Sequence, residues 1–158
     1  MYKEMEGDLI ELALKGKFDV ISHGCNCFCT MQAGIAPQMA KAFGCDSFFL
    51  ENNKFKGDID KLGRIEVTEK NLSTKSLYVV NSYTQYHYGK NHLDGVAKPI
   101  DYEALTLCLR KINHIFKGQH IGLPQIGCGL AGGDWNIVKE IIKKELKDCI
   151  ITVVIYNK

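Results

Sequence analysis

The amino-acid sequence predicts an α/β fold, a three-layer α/β/α sandwich with a central mixed sheet. Three observations carry that expectation. Short apolar runs alternate with amphipathic segments along the chain. Two glycine-bearing turns, at residues 22–36 and 125–133, each lead from an apolar run into a helix-like segment. The last run, Ile150 to Tyr156, is almost continuously apolar, as a strand buried on both faces should be.

Taken in order, Tyr2 to Glu6 reads as a short strand ended by Gly7-Asp8. Asp8 then caps a helix from Leu9 to Leu14, and Gly16 stops it. Asp19 to His23 is a buried strand, because Val20 and Ile21 are apolar and β-branched. A helix follows from Pro37 to Phe43, closed by Gly44, and Asp46 to Lys54 reads as another short one. Lys56 to Leu62 is a polar loop. Arg64 to Glu69 alternates as a strand does, and Leu77 to Val80 reads as a central strand. Asn81 to Lys98 is long, aromatic and poor in helix signals, and loops of that length in a compact domain are usually functional or mobile. Asp101 caps the longest amphipathic helix, to Phe116, with Leu105, Leu109, Ile112 and Phe116 at helical spacing. Ile121 to Pro124 is a strand, and Trp135 to Leu146 is a helix with Ile137, Val138, Ile141 and Ile142 inward.

The 158 residues fit one domain, 1–158, large enough to bury a real core. A net charge of +2 is too small to argue for nucleic-acid or membrane binding. The N-terminal residues are charged rather than apolar, and the seven cysteines form no regular framework, so reduced thiols in a cytoplasmic compartment are expected.

Both glycine turns aim backbone N–H groups at one place, and two of them in a small α/β chain imply a ligand with more than one phosphate. Ligands of such sheets lie at the carboxyl ends of the strands, where both turns fall. Gly127 to Gly133 carries four glycines in seven residues, more than a tight turn needs, and glycine lets a backbone approach a diphosphate closely.

These stretches resemble the macro domain family, which binds ADP-ribose. The matching residues are Gly7-Asp8-Leu9, His23 to Ala36 with Asn26 and Gly34-Ile35-Ala36, and Ile126 to Gly133 followed by Asp134-Trp135. Asn81 to Gly89 further resembles bacterial and phage members that process ADP-ribose-1''-phosphate. The resemblance spans nearly the whole chain and implies ADP-ribose binding with hydrolysis of the terminal phosphate of ADP-ribose-1''-phosphate. Two alternatives stand beside it: a non-catalytic module for ADP-ribose or a derived signal, and a hydrolase of ADP-ribosylated macromolecules. No metal or cofactor is implied. The expected partner is ADP-ribose or its 1''-phosphate, bound by a monomer in the cytoplasm, that of the host if the source is viral.

Each site residue has two readings. Asp8, beside Leu9, is a helix cap or the carboxylate that accepts from the adenine amine. Asn26 contacts the distal ribose, as the family implies, or bonds its own loop, and in the phosphatase reading it or His23 orients the attacking water. His23 is a structural histidine or an acid or base, and phosphatase relatives of the yeast type look similar there. His87 reaches a terminal phosphate or is solvated, and a solvated loop accounts for Lys90 and His92. The resemblance places Gln32, Ala33, Gly34, Ile35 and Ala36 around the distal ribose, and Gly127, Cys128, Gly129, Leu130, Ala131 and Gly132 around the diphosphate. Tyr156 and Asn157 close the adenine end, or Tyr156 is a core-edge aromatic. Gln32 departs from the usual glycine, so it donates a hydrogen bond or fills part of the pocket. Ala131 stands where relatives that remove ADP-ribose from glutamate place an Asp. Cys25, Cys27 and Cys29 alternate near His23, a spacing unusual for zinc.

Overall fold

Aspartate opens three of the helices in the computed structural model, each side-chain carboxylate accepting from an amide in the first turn. The structure describes residues 1–28, 35–46, 57–86, 100–129 and 131–156. In chain order the elements are β1 (Tyr2–Glu6), α1 (Leu9–Leu14), β2 (Val20–Asn26), α2 (Ala36–Phe43), a 3-10 turn (Ile59–Lys61), β3 (Ile65–Asn71), β4 (Ser76–Gln85), α3 (Tyr102–Ile115), β5 (His120–Leu123), α4 (Trp135–Glu145) and β6 (Ile150–Ile155). Gly44 ends α2 in the left-handed conformation at φ 65°.

The six strands form one sheet in the order β1-β6-β5-β2-β4-β3. All pairs are parallel except β3 with β4, so the sheet is mixed, as expected. Successive strand residues serve opposite faces. Val20, Val80 and Val153 join the core with α3 and α4, while Ile21, Val79 and Val154 join the core with α1 and α2. Helices thus cover both faces, and the architecture is the three-layer α/β/α sandwich. Among the described residues no helix is long and apolar enough to cross a membrane.

Gly122 in β5 has a packing reason for lacking a side chain. A methyl there would lie 2.7 Å from the nearest carbon of the Phe18 ring. Gly122→Ala should therefore cost about 1–3 kcal/mol by overpacking. Calorimetry should show a melting temperature lower by roughly 5 °C. An unchanged transition would mean that the Phe18 ring has room to move.

Several expectations need correction. β2 continues three residues past His23 to Asn26, and β4 continues five past Val80 to Gln85. Both extensions carry polar side chains that read as loop. They stay in the sheet because they satisfy one another across it. His23 lies opposite Asn81, and Gly24 opposite Ser82. The Ser22 hydroxyl bonds Val80 O at 2.9 Å and Ser82 Oγ at 2.8 Å. Ile137, expected inward, is 43% exposed, whereas Val138 and Ile142 are buried. The loop at 56–62 contains the 3-10 turn, capped by Asp58. Most of the helix expected at 46–54, and residues 87–98 of the aromatic loop, lie outside the described residues.

Candidate functional site

Five strands, β1, β6, β5, β2 and β4, are mutually parallel, so their carboxyl ends share one edge of the sheet. Asp8 follows β1 on that edge, Cys27 and Phe28 follow β2, and residues 124–134 follow β5. β2 and β5 are direct neighbours, with Val20 opposite Ile121. Ile126 sits beside Gly24, where a methyl would meet its Cγ1 at 3.4 Å. The glycine turn after β5 therefore starts against the end of β2.

That turn is held by its own backbone. Cys128 N donates to Gln125 O at 3.2 Å, Gly132 N to Gly129 O at 3.0 Å, and Gly133 N to Gly127 O at 2.8 Å. Gly127 and Gly132 have φ of 74° and 71°, which favours glycine. The amides of Gly127, Gly129 and Ala131 make no hydrogen bond among the described residues. Gly129 is exposed, and a methyl on it would meet nothing within 4 Å. Among the described residues nothing requires it to lack a side chain. Ala131 packs into the core with α3 and α4. The Cys128 thiol is pushed up to about 11, by burial first and then by the Asp134 charge, so it stays neutral. Leu130 lies outside the described residues.

The start of α2 is a second place for an anion. No side chain caps it, and Pro37 occupies its first turn. Ile35 and Ala36 are half-buried there, while Gln32, Ala33 and Gly34 lie outside the described residues. Asp8 is also half-buried, and its Oδ1 accepts from Glu11 N at 3.1 Å. The cap reading holds, and it occupies one carboxylate oxygen. The Leu9 side chain is 3% exposed and belongs to the core with α1 and α2, so a ligand contact there would be through its backbone.

His23 also departs from the catalytic reading. It is fully buried. Its Nε2 lies 2.7 Å from Asn81 Oδ1, while Asn81 Nδ2 donates to Cys45 O at 2.8 Å. Asn81 must then accept at Oδ1, and Nε2 carries the proton. Burial lowers the pKa to about 4 despite the Asn81 bond, so the ring is neutral. A neutral ring without access to solvent is a structural residue. Asn26 is 7% exposed, and its Oδ1 accepts from Phe28 N at 3.0 Å. That is the loop-stabilising bond foreseen as one alternative. His87 and Asn157 lie outside the described residues, as does Cys29. Cys25 and Cys27 are buried, and the ladder shifts register between Cys25 and Asn26, which breaks the alternation needed to align the thiols. The described residues hold no group of three or more metal-ligating side chains. Tyr156 is 65% exposed, beyond the end of β6.

Some contacts at this edge escaped sequence reasoning. Phe28 and Tyr86 meet edge to face at 5.2 Å, and Tyr86 Oη donates to Gly57 O at 2.7 Å. They tie the end of β2 to the end of β4. Ile100 and Tyr102 touch the glycine turn itself. The aromatic residues were a visible signal, but their partners lie about thirty residues or more away.

The fold that carries these turns is similar to that of known macrodomains. A structure of a protein of unknown function from Bacteroides thetaiotaomicron is 25% identical, covers 98% of each chain, and superposes with a TM-score of 0.74. The macrodomain of Thermus aquaticus DarG is 23% identical, with a TM-score of 0.69 over 100% of this chain and 99% of that one. Thermosipho africanus DarTG, solved in complex with ADP-ribose, is 19% identical, with a TM-score of 0.69 over 97% of this chain and 40% of that one. The chain has the macrodomain fold. In sequence it is similar to the uncharacterized 17.5 kDa protein of the tk-vs intergenic region of Enterobacteria phage T4, 37% identical over 147 residues, 89% of this chain and 86% of the phage protein. No family model matches the chain.

Proposed function

We propose that this protein binds ADP-ribose at the carboxyl edge of its sheet. One observation supports the reading above all: the glycine turn, with amides of Gly127, Gly129 and Ala131 that the described fold does not use, stands beside the end of β2, on the edge that also carries Asp8. In this reading Asp8 takes the adenine amine. Residues 127–132 hold the diphosphate, and Asn26 with residues 32–36 surrounds the distal ribose. The same reading assigns Asn157 to the adenine end. Titration calorimetry with ADP-ribose tests the proposal, and no heat of binding at millimolar ligand would end it.

Asp8→Asn keeps an oxygen for the Glu11 amide but weakens the bond to the adenine amine. Affinity for ADP-ribose should fall about fivefold to tenfold, a loss of roughly 1 kcal/mol, with the melting temperature nearly unchanged. The inosine analogue, which has no exocyclic amine, should bind wild type and variant alike. Gln32→Gly should raise affinity for ADP-ribose, because a side chain stands where relatives have none. Unchanged or weaker binding would count against a blocking role for Gln32.

The second reading is removal of the terminal phosphate of ADP-ribose-1''-phosphate. The start of α2 favours it, as an anion site in addition to the diphosphate turn. Fixed N–H dipoles would stabilise the charge there, and a water would attack the phosphorus. His23 has no access to that water, which leaves His87 or the substrate's own groups for proton transfer. Phosphate release from ADP-ribose-1''-phosphate measures the activity, and stoichiometric binding without release selects the module. Hydrolysis of ADP-ribosylated macromolecules is the least supported reading, since Ala131 offers a methyl group packed in the core where a carboxylate would be needed.

A further inference from the structure

We infer that the entry to α3, residues 100–102, is the template that sets the shape of the glycine turn, with Ile100 and Tyr102 as positioning residues for the ligand. The inference rests on the ADP-ribose reading for its consequence but not for its geometry. Ile100 is 7% exposed and stands directly under the turn. A methyl on Gly127 would lie 2.1 Å from Ile100 Cδ1, and one on Gly133 would lie 3.3 Å from the same atom. That carbon fills the space Gly127 leaves open and lines the space at Gly133, where a methyl would meet Gly127 O first, at 2.5 Å. The Ile100 amide donates to Ala131 O at 3.2 Å, in the middle of the turn. The Asp134 amide, at its exit, donates to Tyr102 Oη at 3.0 Å.

The template is itself anchored. Asp101 N donates to Thr84 O at 2.8 Å, and Asp101 caps α3 by accepting from Ala104 N at 3.0 Å. Ile100 also bridges to Gln85 at the end of β4. Three consecutive residues thus carry the position of β4 and α3 into the turn's start, middle and exit. A turn rich in glycine has many accessible shapes. A rigid support beneath it removes most of them before ligand arrives, which is how a site of bare amides becomes pre-organised.

Ile100→Val removes only Cδ1, and Tyr102→Phe removes only the acceptor of the Asp134 amide. Each should weaken ADP-ribose binding roughly fivefold. Each should also speed amide hydrogen exchange at Gly132 and Gly133 in the ligand-free protein, with exchange in β5 and β6 unchanged. A residue that merely fills core would lower the melting temperature and leave local exchange and affinity alone. Wild-type exchange at both glycines in both variants overturns the inference. Faster exchange with unaltered affinity overturns the positioning role. If the wild-type protein does not bind ADP-ribose, the functional reading fails, and the exchange measurement on the free protein still decides whether residues 100–102 hold the turn.

Discussion

Gly127→Ala should destabilise the protein by about 2–4 kcal/mol and weaken ADP-ribose binding at least tenfold. Two effects add. At φ 74° an alanine is held in the left-handed region, at a cost of roughly 1–2 kcal/mol. Its methyl would also fall 2.1 Å from Ile100 Cδ1, so the isoleucine or the turn must move. Thermal unfolding should drop by about 10 °C. Adding Ile100→Val removes the clashing carbon and should restore part of the stability, leaving the backbone cost. Gly129→Ala is the contrasting case. Its methyl meets nothing within 4 Å among the described residues and its φ is unexceptional, so stability should stay within about 1 kcal/mol of wild type. Binding should still suffer, since the methyl would project toward the ligand. If Gly127→Ala melts and binds as wild type does, the turn is not the structure described here. If Gly129→Ala binds normally, the diphosphate does not lie against it.

The second large effect is a loss of stability in mild acid, carried by His23. Its folded pKa is about 4, below the ordinary value of 6.5, because burial penalises the charged ring. Between those values the unfolded chain binds a proton that the folded chain refuses, so stability rises with pH across the window. The contribution is complete above about pH 6.5 and is lost as pH falls toward 4. It amounts to about 3 kcal/mol over the window. His120, also lowered chiefly by burial, acts in the same direction. Glu4, Asp19 and Glu145 have lowered pKa values as well, and their contributions fade at more acid pH. Urea denaturation of wild type and His23→Gln from pH 4 to 7.5 isolates the contribution of His23. The variant should be less stable at neutral pH but should show a shallower slope from 6.5 to 4. Equal slopes would mean that the ring is reached by water and titrates normally. The pH profile of any phosphate release should likewise lack a limb due to His23.

Much of the scaffold was legible because its causes are local. Asp8, Asp101 and Asp134 announce helix starts through the amides next to them, and Gly44 announces a helix end through its own φ. The α3 stripe of Leu105, Leu109 and Ile112 follows from the helical period, and all three are buried. The ends of β2 past His23 and of β4 past Val80 were not legible. Asn81 and Ser82 are each poor strand-core residues alone, and they are acceptable only as partners of His23 and Ser22 across the sheet. Gly122 gave no sign of the Phe18 ring above it.

The same division runs through the site. The sequence alone determined that a glycine-rich turn would follow β5 and that a helix would begin after the β2 turn, because backbone freedom and helix capping depend on near neighbours. Tertiary structure alone decided what His23 and Leu9 are and what supports the turn. His23 is neutral because the folded chain buries it completely, and Asn81, 58 residues away, only holds the ring in place. The turn has one shape because Ile100 arrives beneath it from another element. Burial and cross-strand partnership are properties of the whole folded chain, and no stretch of sequence carries them by itself.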